Sequence, residues 1–500
     1  MTINHLDINW PEKADALAIN TQAFINGKYL DAQAQQSFEC INPANGKKIA
    51  DITRCQPEDL DIAVSAARNS FNNGVWAHKS NAERKAILFK VGQLIERDRA
   101  EFALLETLDM GKNIRDSFNI DVTRAVESFQ WYGEALDKVY GEISPTNQGK
   151  LGTITAEPLG VVAAIVPWNF PLVMAAWKLG PALAVGNSVI LKPSERSSLT
   201  AIKLAGIMKE AGLPDGVFNV LPGLGHDLGE AIGLHMDIDC VVFTGSTATG
   251  KRLMQYSGQS NMKKVYTECG GKSPNIIFDD CGDLDAVCAG SANAIFFNQG
   301  EVCVAASRLL VHNTIKEQVV EKLTVLARNM QPGDTLDPSF YMGPLVDHAH
   351  LNGVMDYVRG AKEQGAELIV GGEPILTASG GCYMPPTIFN HVSPEMTIFN
   401  EEIFGPVLAI TGFDTEEEAL LLANQGCYGL AAGFWTENLS RAHRVAKRLR
   451  AGSVWVNGWS AGDITMPFGG YKQSGNGRDK SLHALEKFTE QKATVFGYTE

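Results

Sequence analysis

The sequence predicts an α/β protein built as two parallel-sheet domains with a small additional β element. Short apolar strands alternate with helices in two successive series, a spacing that makes parallel sheets covered by helices on both faces. The chain has 500 residues, more than one hydrophobic core usually serves. Two β-type runs flank Pro145-Thr146-Asn147-Gln148-Gly149, which marks a projecting hairpin.

From about residue 55 to 138 the apolar spacing is helical, as in Leu60, Ala63, Val64 and Ala67, and again in Leu88, Val91, Leu94 and Ile95. The hairpin strands are expected at 139–143 and 151–156. The first alternating series then places strands at 161–166, 188–191, 217–220, 240–244 and 264–267, with helices near 172–185, 197–211, 226–234 and 247–257 between them. The second places strands at 275–278, 309–311, 368–370, 407–413, 430–435 and 453–456. Its helices fall near 283–297, 314–330, 346–363, 415–424 and 438–449. The turn from Glu268 to Gly271 is the expected junction, and 492–496 reads as an edge strand.

Composition narrows the function classes. A net charge of −14 argues against a general nucleic-acid or anionic-membrane surface. The most apolar stretch, 159–166, is too short to span a bilayer. Residues 1–7 lack the basic and apolar regions of a signal peptide. Nine cysteines without a CxxC pair or Cys/His ligand spacing suggest neither a disulfide framework nor a metal site, and fit a reducing cytoplasm. Gly245 to Lys251 fits the start of a phosphate-binding P-loop, but Arg252 stands where that motif needs Ser or Thr for Mg²⁺, which excludes an NTPase of that class.

Three segments carry chemistry. Cys303 lies in Gly300-Glu301-Val302-Cys303, Glu268 in Glu268-Cys269-Gly270-Gly271-Lys272, and Asn169 between Pro167 and Pro171. A thiol, a carboxylate and a side-chain amide are the parts needed to attack a carbonyl, hold its oxyanion and hydrolyse a thioester. Taken singly, each has a plainer reading: a buried cysteine, a turn acid, a turn-forming asparagine. A free thiol is only a few per cent thiolate at neutral pH, so activation by a helix N-terminus or a nearby cation is expected. Lys192 and Glu195 follow an apolar strand, where ligand crevices of open α/β sheets lie, although a surface ion pair would look the same. Gly245-Ser246 stands between a strand and a helix, which points free N–H groups at a pyrophosphate.

These motifs, with Lys192-Pro193-Ser194-Glu195, Phe243-Thr244-Gly245-Ser246, Glu401-Glu402-Ile403-Phe404-Gly405-Pro406 and Pro467-Phe468-Gly469-Gly470, resemble the aldehyde dehydrogenase superfamily along nearly the whole chain. The stretch from Gly469 to Glu490 looks like the group that oxidises γ-glutamyl-γ-aminobutyraldehyde, 4-guanidinobutyraldehyde and related ω-amino aldehydes. The resemblance implies a Rossmann-like NAD-binding domain at 1–138 and 158–268, a catalytic domain at 269–480, and an oligomerisation element at 139–157 and 487–500. It implies Cys303 as nucleophile, Glu268 as general base and Asn169 as oxyanion donor. NAD would be held by Trp168, Lys192, Glu195, Gly245, Ser246, Glu402 and Phe404, with Glu195 disfavouring the 2′-phosphate of NADP. Phe170, Trp177, Trp459 and Phe468 would line the substrate tunnel, and Asp463 would pair with a cationic substrate end. A homo-tetramer or homo-dimer without a metal, nucleic-acid or membrane partner is implied. The alternative is a broad-specificity enzyme for uncharged aldehydes.

Two positions depart from the family pattern: Cys269 replaces the usual leucine, and Glu301 stands where glutamine is common. Neither is expected to touch an essential group, though Cys269 is expected to make its turn more oxidation-sensitive. A CoA-acylating relative would lack a base like Glu268, a plain cysteine hydrolase would leave Lys192 and Glu195 unexplained, and a non-catalytic relative would have lost Cys303 or Glu268.

Overall fold

The computed structural model describes residues 5–460 and 462–499. The part of the amino-terminal reading that concerns residues 1–4, and Ala461 beside the Asp463 loop, lie outside the described residues.

Two seven-stranded sheets dominate. In the first, Lys264–Glu268, Cys240–Thr244, Val161–Ile165, Ser188–Lys192 and Phe218–Val220 run parallel in that order. Their central members are buried at every residue, because helices cover both faces. The order is completed by two short antiparallel strands the sequence reading did not place, Ala23–Ile25 and Lys28–Leu30. They are joined by Asn26-Gly27, both with positive φ, as a two-residue hairpin turn requires.

The second sheet runs Glu367–Val370, Thr387–Asn390, Val407–Phe413, Arg308–His312, Pro274–Ile277, Ala431–Trp435 and Ser453–Val456. All its pairings are parallel except the first, in which Thr387–Asn390, absent from the expected elements, pairs antiparallel. The chain passes from the first sheet to the second between Glu268 and Pro274.

A third, antiparallel sheet is separate. Thr489–Gly497 pairs along its whole length with Lys150–Pro158, which also pairs with Glu142–Ser144. The expected strand at 139–143 is thus displaced towards the turn, and the carboxyl-terminal edge strand is longer than expected. A further two-stranded ribbon, Ser37–Ile41 with Lys48–Thr53, was also not foreseen. Among the described residues, no helix is long and apolar enough to cross a membrane, and no cluster of His, Cys, Asp or Glu is placed to hold a metal.

Arg308 ties the second domain together. Its buried guanidinium donates to the carbonyls of Leu422 (3.0 Å) and Ala423 (2.9 Å) near the carboxyl end of helix Glu416–Asn424, and to that of Lys272 (3.1 Å). A fixed cation there satisfies orphan helix carbonyls and complements the helix dipole. Arg308→Met should therefore lower stability by about 1.5–3 kcal/mol, the usual worth of a hydrogen bond to a charged group, read as a fall in the urea midpoint. An unchanged midpoint would show that these bonds do not hold the domain.

Candidate active site

The residues singled out in the sequence converge between the two sheets. Lys192 and Glu268 each end a strand of the first sheet, Gly245-Ser246 follows another, and Asn169 lies in the turn after Val161–Ile165. These four strands are adjacent, and their carboxyl ends are where open α/β sheets bind ligands. Cys303 and Glu402 reach the same place from loops that lead into Arg308–His312 and Val407–Phe413 of the second sheet.

The Cys303 loop is held by its own polar groups. After helix Leu284–Phe296, residues Asn298, Gln299 and Gly300 all take positive φ, a reversal that only dense bonding sustains. Gln299 Oε1 accepts from the Gly343 N–H (3.2 Å), and Glu301 Oε1 from the Val346 N–H (3.0 Å). The Glu301 carbonyl accepts from Asn169 Nδ2 at 2.8 Å. One N–H of that buried amide is thereby fixed two residues before the thiol. That contact is made by the Glu301 backbone and does not depend on its side chain. Its carboxyl is fully buried 3.7 Å from His350 Nε2, and burial pushes it well above the carboxylate range.

No helix begins at Cys303, so the expected activation by a helix N-terminus is not present. Burial, and then the carboxylates of Glu268 and Glu402, raise its pKa, while the N–H groups of Val304 and Cys303 lean the other way. The thiolate therefore needs an incoming positive charge. Cys269 is buried, and its thiol is pushed up to about 11 by burial and by Glu268 and Glu402. Burial and the two carboxylates thus hold it as a thiol, the less nucleophilic form.

The glycines after Glu268 serve close approach. A side chain at Gly271 would begin 2.7 Å from the Cys303 carbonyl oxygen, and one at Gly270 would overlap the Glu402 carboxyl. Glu402 Oε1 accepts the Gly271 N–H at 3.1 Å. Burial raises its pKa to about 7, against the pull of Gly271 and Lys272.

Glu268 is buried, and its Oε1 accepts the Gly470 N–H at 3.2 Å. Its pKa is raised to about 8, first by burial and then by the charge of Asp479, while Lys178 and Lys487 lower it. Those three residues form a buried ion cluster, both lysines paired to Asp479.

Of the residues expected to hold a dinucleotide, Trp168, Lys192, Glu195, Gly245 and Ser246 stand at or just beyond the carboxyl ends of the first sheet's strands. Lys192 is buried rather than part of a surface pair, and its Nζ donates to Glu195 Oε2 at 3.1 Å. Burial works against the Glu195 carboxylate, but Lys192 holds its pKa below the ordinary value. Ser246 caps helix Thr247–Gln259, accepting from the Thr249 N–H. Thr244 Oγ1, at the end of the preceding strand, is buried with no partner among the described residues. An unpartnered hydroxyl, a helix N-terminus and a Lys–Glu pair fit the phosphates and ribose of NAD. The Trp168 and Phe404 rings meet edge-on at 5.2 Å, and His350 Nε2 lies 2.7 Å from the Phe404 carbonyl.

On the other side of Cys303 lies a cavity of about 360 Å³. Phe170, Trp177, Trp459 and Phe468 all line it. So do Phe297 and Tyr341, which the sequence reading missed, and the Arg115–Asp116 ion pair (2.9 Å). Asp463 does not reach this cavity. It lines an adjoining outer basin, where its carboxylate accepts from Thr465 N (2.9 Å) and Oγ1 (2.5 Å).

Comparison with known proteins agrees with this geometry. A family model described as "Aldehyde dehydrogenase family" matches residues 29–494. The NADP/NAD-dependent aldehyde dehydrogenase PuuC of Escherichia coli (strain K12) is 53% identical over 492 residues, 98% of each chain. The solved structure of gamma-glutamyl-gamma-aminobutyraldehyde dehydrogenase from Burkholderia cenocepacia J2315 is 51% identical. It has a TM-score of 0.97 and covers 99% of this chain and 100% of its own. A variant of the indole-3-acetaldehyde dehydrogenase AldA of P. syringae, solved with NAD+ and IAA, is 52% identical with the same TM-score and coverage.

The surroundings of Glu268 make a prediction about its titration. With a pKa near 8 its carboxyl is mostly protonated at pH 7 and ionises as pH rises through that value. The infrared carboxylic C=O band lost in Glu268→Gln should titrate there. Asp479→Asn should lower the midpoint, because it removes a negative charge and frees Lys178 and Lys487. A wild-type midpoint near the ordinary value of about 4.3 would refute this account.

Proposed function

This chain belongs to the aldehyde dehydrogenase family, and from that premise we propose that Cys303, Asn169 and Glu268 carry out its NAD-dependent oxidation of an aldehyde to the carboxylic acid. NAD, when bound, supplies a hydride acceptor and a positive ring charge. Cys303 gives its proton to solvent water, and its sulfur bonds to the aldehyde carbon. The carbonyl electrons move to oxygen, where the Asn169 amide and the Cys303 N–H hold the oxyanion. Loss of hydride from that tetrahedral carbon leaves a thioester on Cys303. Glu268 takes a proton from water as the water oxygen attacks the thioester, the C–S bond breaks, and the acid leaves. The observation that carries this reading is the Asn169–Glu301 hydrogen bond, which fixes an amide donor beside the thiol.

For the cofactor, Trp168, Lys192, Glu195, Gly245, Ser246, Glu402 and Phe404 are the proposed contacts. For the substrate we favour an ω-amino, γ-glutamylamino or guanidino aldehyde from polyamine or arginine breakdown, supported by the substrate named for the Burkholderia relative. A broad specificity for uncharged aldehydes is the second reading. It is favoured by the aromatic inner cavity and by the substrate named for the P. syringae relative.

The proposed division is a NAD-binding domain at 1–138 and 158–268 and a catalytic domain at 269–480. The three-stranded sheet, from 139–157 and 487–500, is proposed to pair with other copies in a tetramer or dimer. Exposed Ile143, Val495 and Phe496 support this. Nine free cysteines support a reducing cytoplasm.

The deciding assay is NADH formation on 4-aminobutyraldehyde, its γ-glutamylated form, 4-guanidinobutyraldehyde and an uncharged aldehyde of similar length. Wild type should favour one of the first three in kcat/KM, and Cys303→Ala should abolish turnover on all. Full turnover by Cys303→Ala would overturn the mechanism, and equal rates across the panel would select the second reading.

A carboxylate at Glu195 repels a 2′-phosphate, so kcat/KM should be higher with NAD than with NADP. Glu195→Ser should narrow that ratio. A wild-type ratio near one would remove Glu195 from cofactor selection.

A further inference from the structure

The inner cavity at Cys303 does not end the path for a substrate. Arg124, Trp177, Ser460 and Phe468 also border the outer basin of about 330 Å³, where Glu127, Asp463 and Lys480 add further charges. The two cavities therefore adjoin at these four shared residues, two of them aromatic, which form the neck between them.

The charges in the two spaces are disposed differently. In the inner cavity Arg115 is committed to Asp116 and to the carbonyls of Phe340 and Tyr341 (3.3 Å each). That ion pair is neutral and internally satisfied. In the outer basin Arg124 and Glu127 form no hydrogen bond or ion pair with any described residue. They stand three residues apart on helix Val122–Ala135, a spacing that turns both towards one side. Lys480 Nζ lies 5.6 Å from the centre of the Trp177 ring, so the neck itself carries a cation. The basin thus presents both signs of charge.

Resting on the proposed function above, we propose that this basin is a subsite for a zwitterionic α-amino-acid head on the far end of the aldehyde. Arg124 takes the α-carboxylate, while Glu127 and Asp463 take the α-ammonium. A guanidinium binds a carboxylate with two parallel N–H···O bonds, and fixed charges of both signs favour a dipolar ligand over a single charge. A simple ammonium or guanidinium end would meet Arg124 and Lys480 as repulsive neighbours. A γ-glutamylamino aldehyde places its aldehyde at Cys303 and its free amino-acid end in the basin.

The test compares γ-glutamyl-4-aminobutyraldehyde, its α-methyl ester and 4-acetamidobutyraldehyde, which keeps the amide but has no zwitterion. Wild type should prefer the free acid over the ester by about ten-fold in kcat/KM, mostly through KM. That preference should fall to within about three-fold in Arg124→Ala and be partly kept in Arg124→Lys. Glu127→Gln should weaken the preference for the free acid over 4-acetamidobutyraldehyde. Equal kcat/KM for acid and ester in wild type, or an undiminished preference in Arg124→Ala, would overturn the subsite while leaving the aldehyde chemistry intact. Oxidation of none of the three by wild type would overturn the proposed function, and the subsite with it.

Discussion

The active site depends on backbones that meet with no side chain between them. Gly271 lies against the Cys303 carbonyl, Gly270 against the Glu402 carboxyl, and Gly300 against the backbone of Gly405. A methyl group at Gly270 or Gly271 would press the end of the first sheet's last strand away from the loops of the second sheet, and one at Gly300 would press apart the loops that lead into Arg308–His312 and Val407–Phe413. The base at the end of one sheet and the thiol before a strand of the other then could not share a substrate. The Asn169–Glu301 bond and the left-handed run through Gly300 are details of that same junction. At Gly271 and Gly300 glycine is required because backbone approaches it, whereas at Gly270 a side chain would displace the Glu402 carboxyl. At Gly300, φ of 71° adds a conformational reason.

Electrostatics follow from the same closeness. Glu268 and Glu402 both act on Cys303, Glu301 stands two residues before it, and burial raises the pKa of each carboxyl. Cys303 feels two of those carboxyls and is held as a thiol. By itself the site is short of positive charge, which suits a protein whose cofactor carries a cationic ring. The buried Lys178–Asp479–Lys487 cluster keeps Glu268 from rising further, since its lysines oppose both burial and Asp479.

Much of this was legible in the sequence, because the informative residues lie at strand ends. Val161–Ile165 and Ser188–Lys192 are continuous apolar runs, the mark of strands buried on both faces, and Asn169 and Lys192 stand at or just beyond their ends. What escaped was short or distant. Ala23–Ile25 has three residues, too few for a periodic signal, although Asn26-Gly27 is itself a hairpin signal. Thr387–Asn390 follows Pro385-Pro386, which reads as a break rather than a strand. Arg115, Tyr341 and Phe297 reach the inner cavity from three segments far apart in sequence, and only packing brings them together. Asp463 went to the outer basin because the direction of a loop side chain is set by its neighbours, here Thr465, and not by its place in the chain.

The link between Glu268 and the chain's far end gives synthesis an order. Lys178 and Glu268 leave the ribosome well before the Gly470 N–H that binds the base, the Ser474 carbonyl that accepts the Cys269 N–H, and the charges of Asp479 and Lys487. The strand that closes the small antiparallel sheet comes later still. A nascent chain therefore carries its carboxylate long before the groups that set its protonation, and the site is complete only once residues 470–487 have emerged.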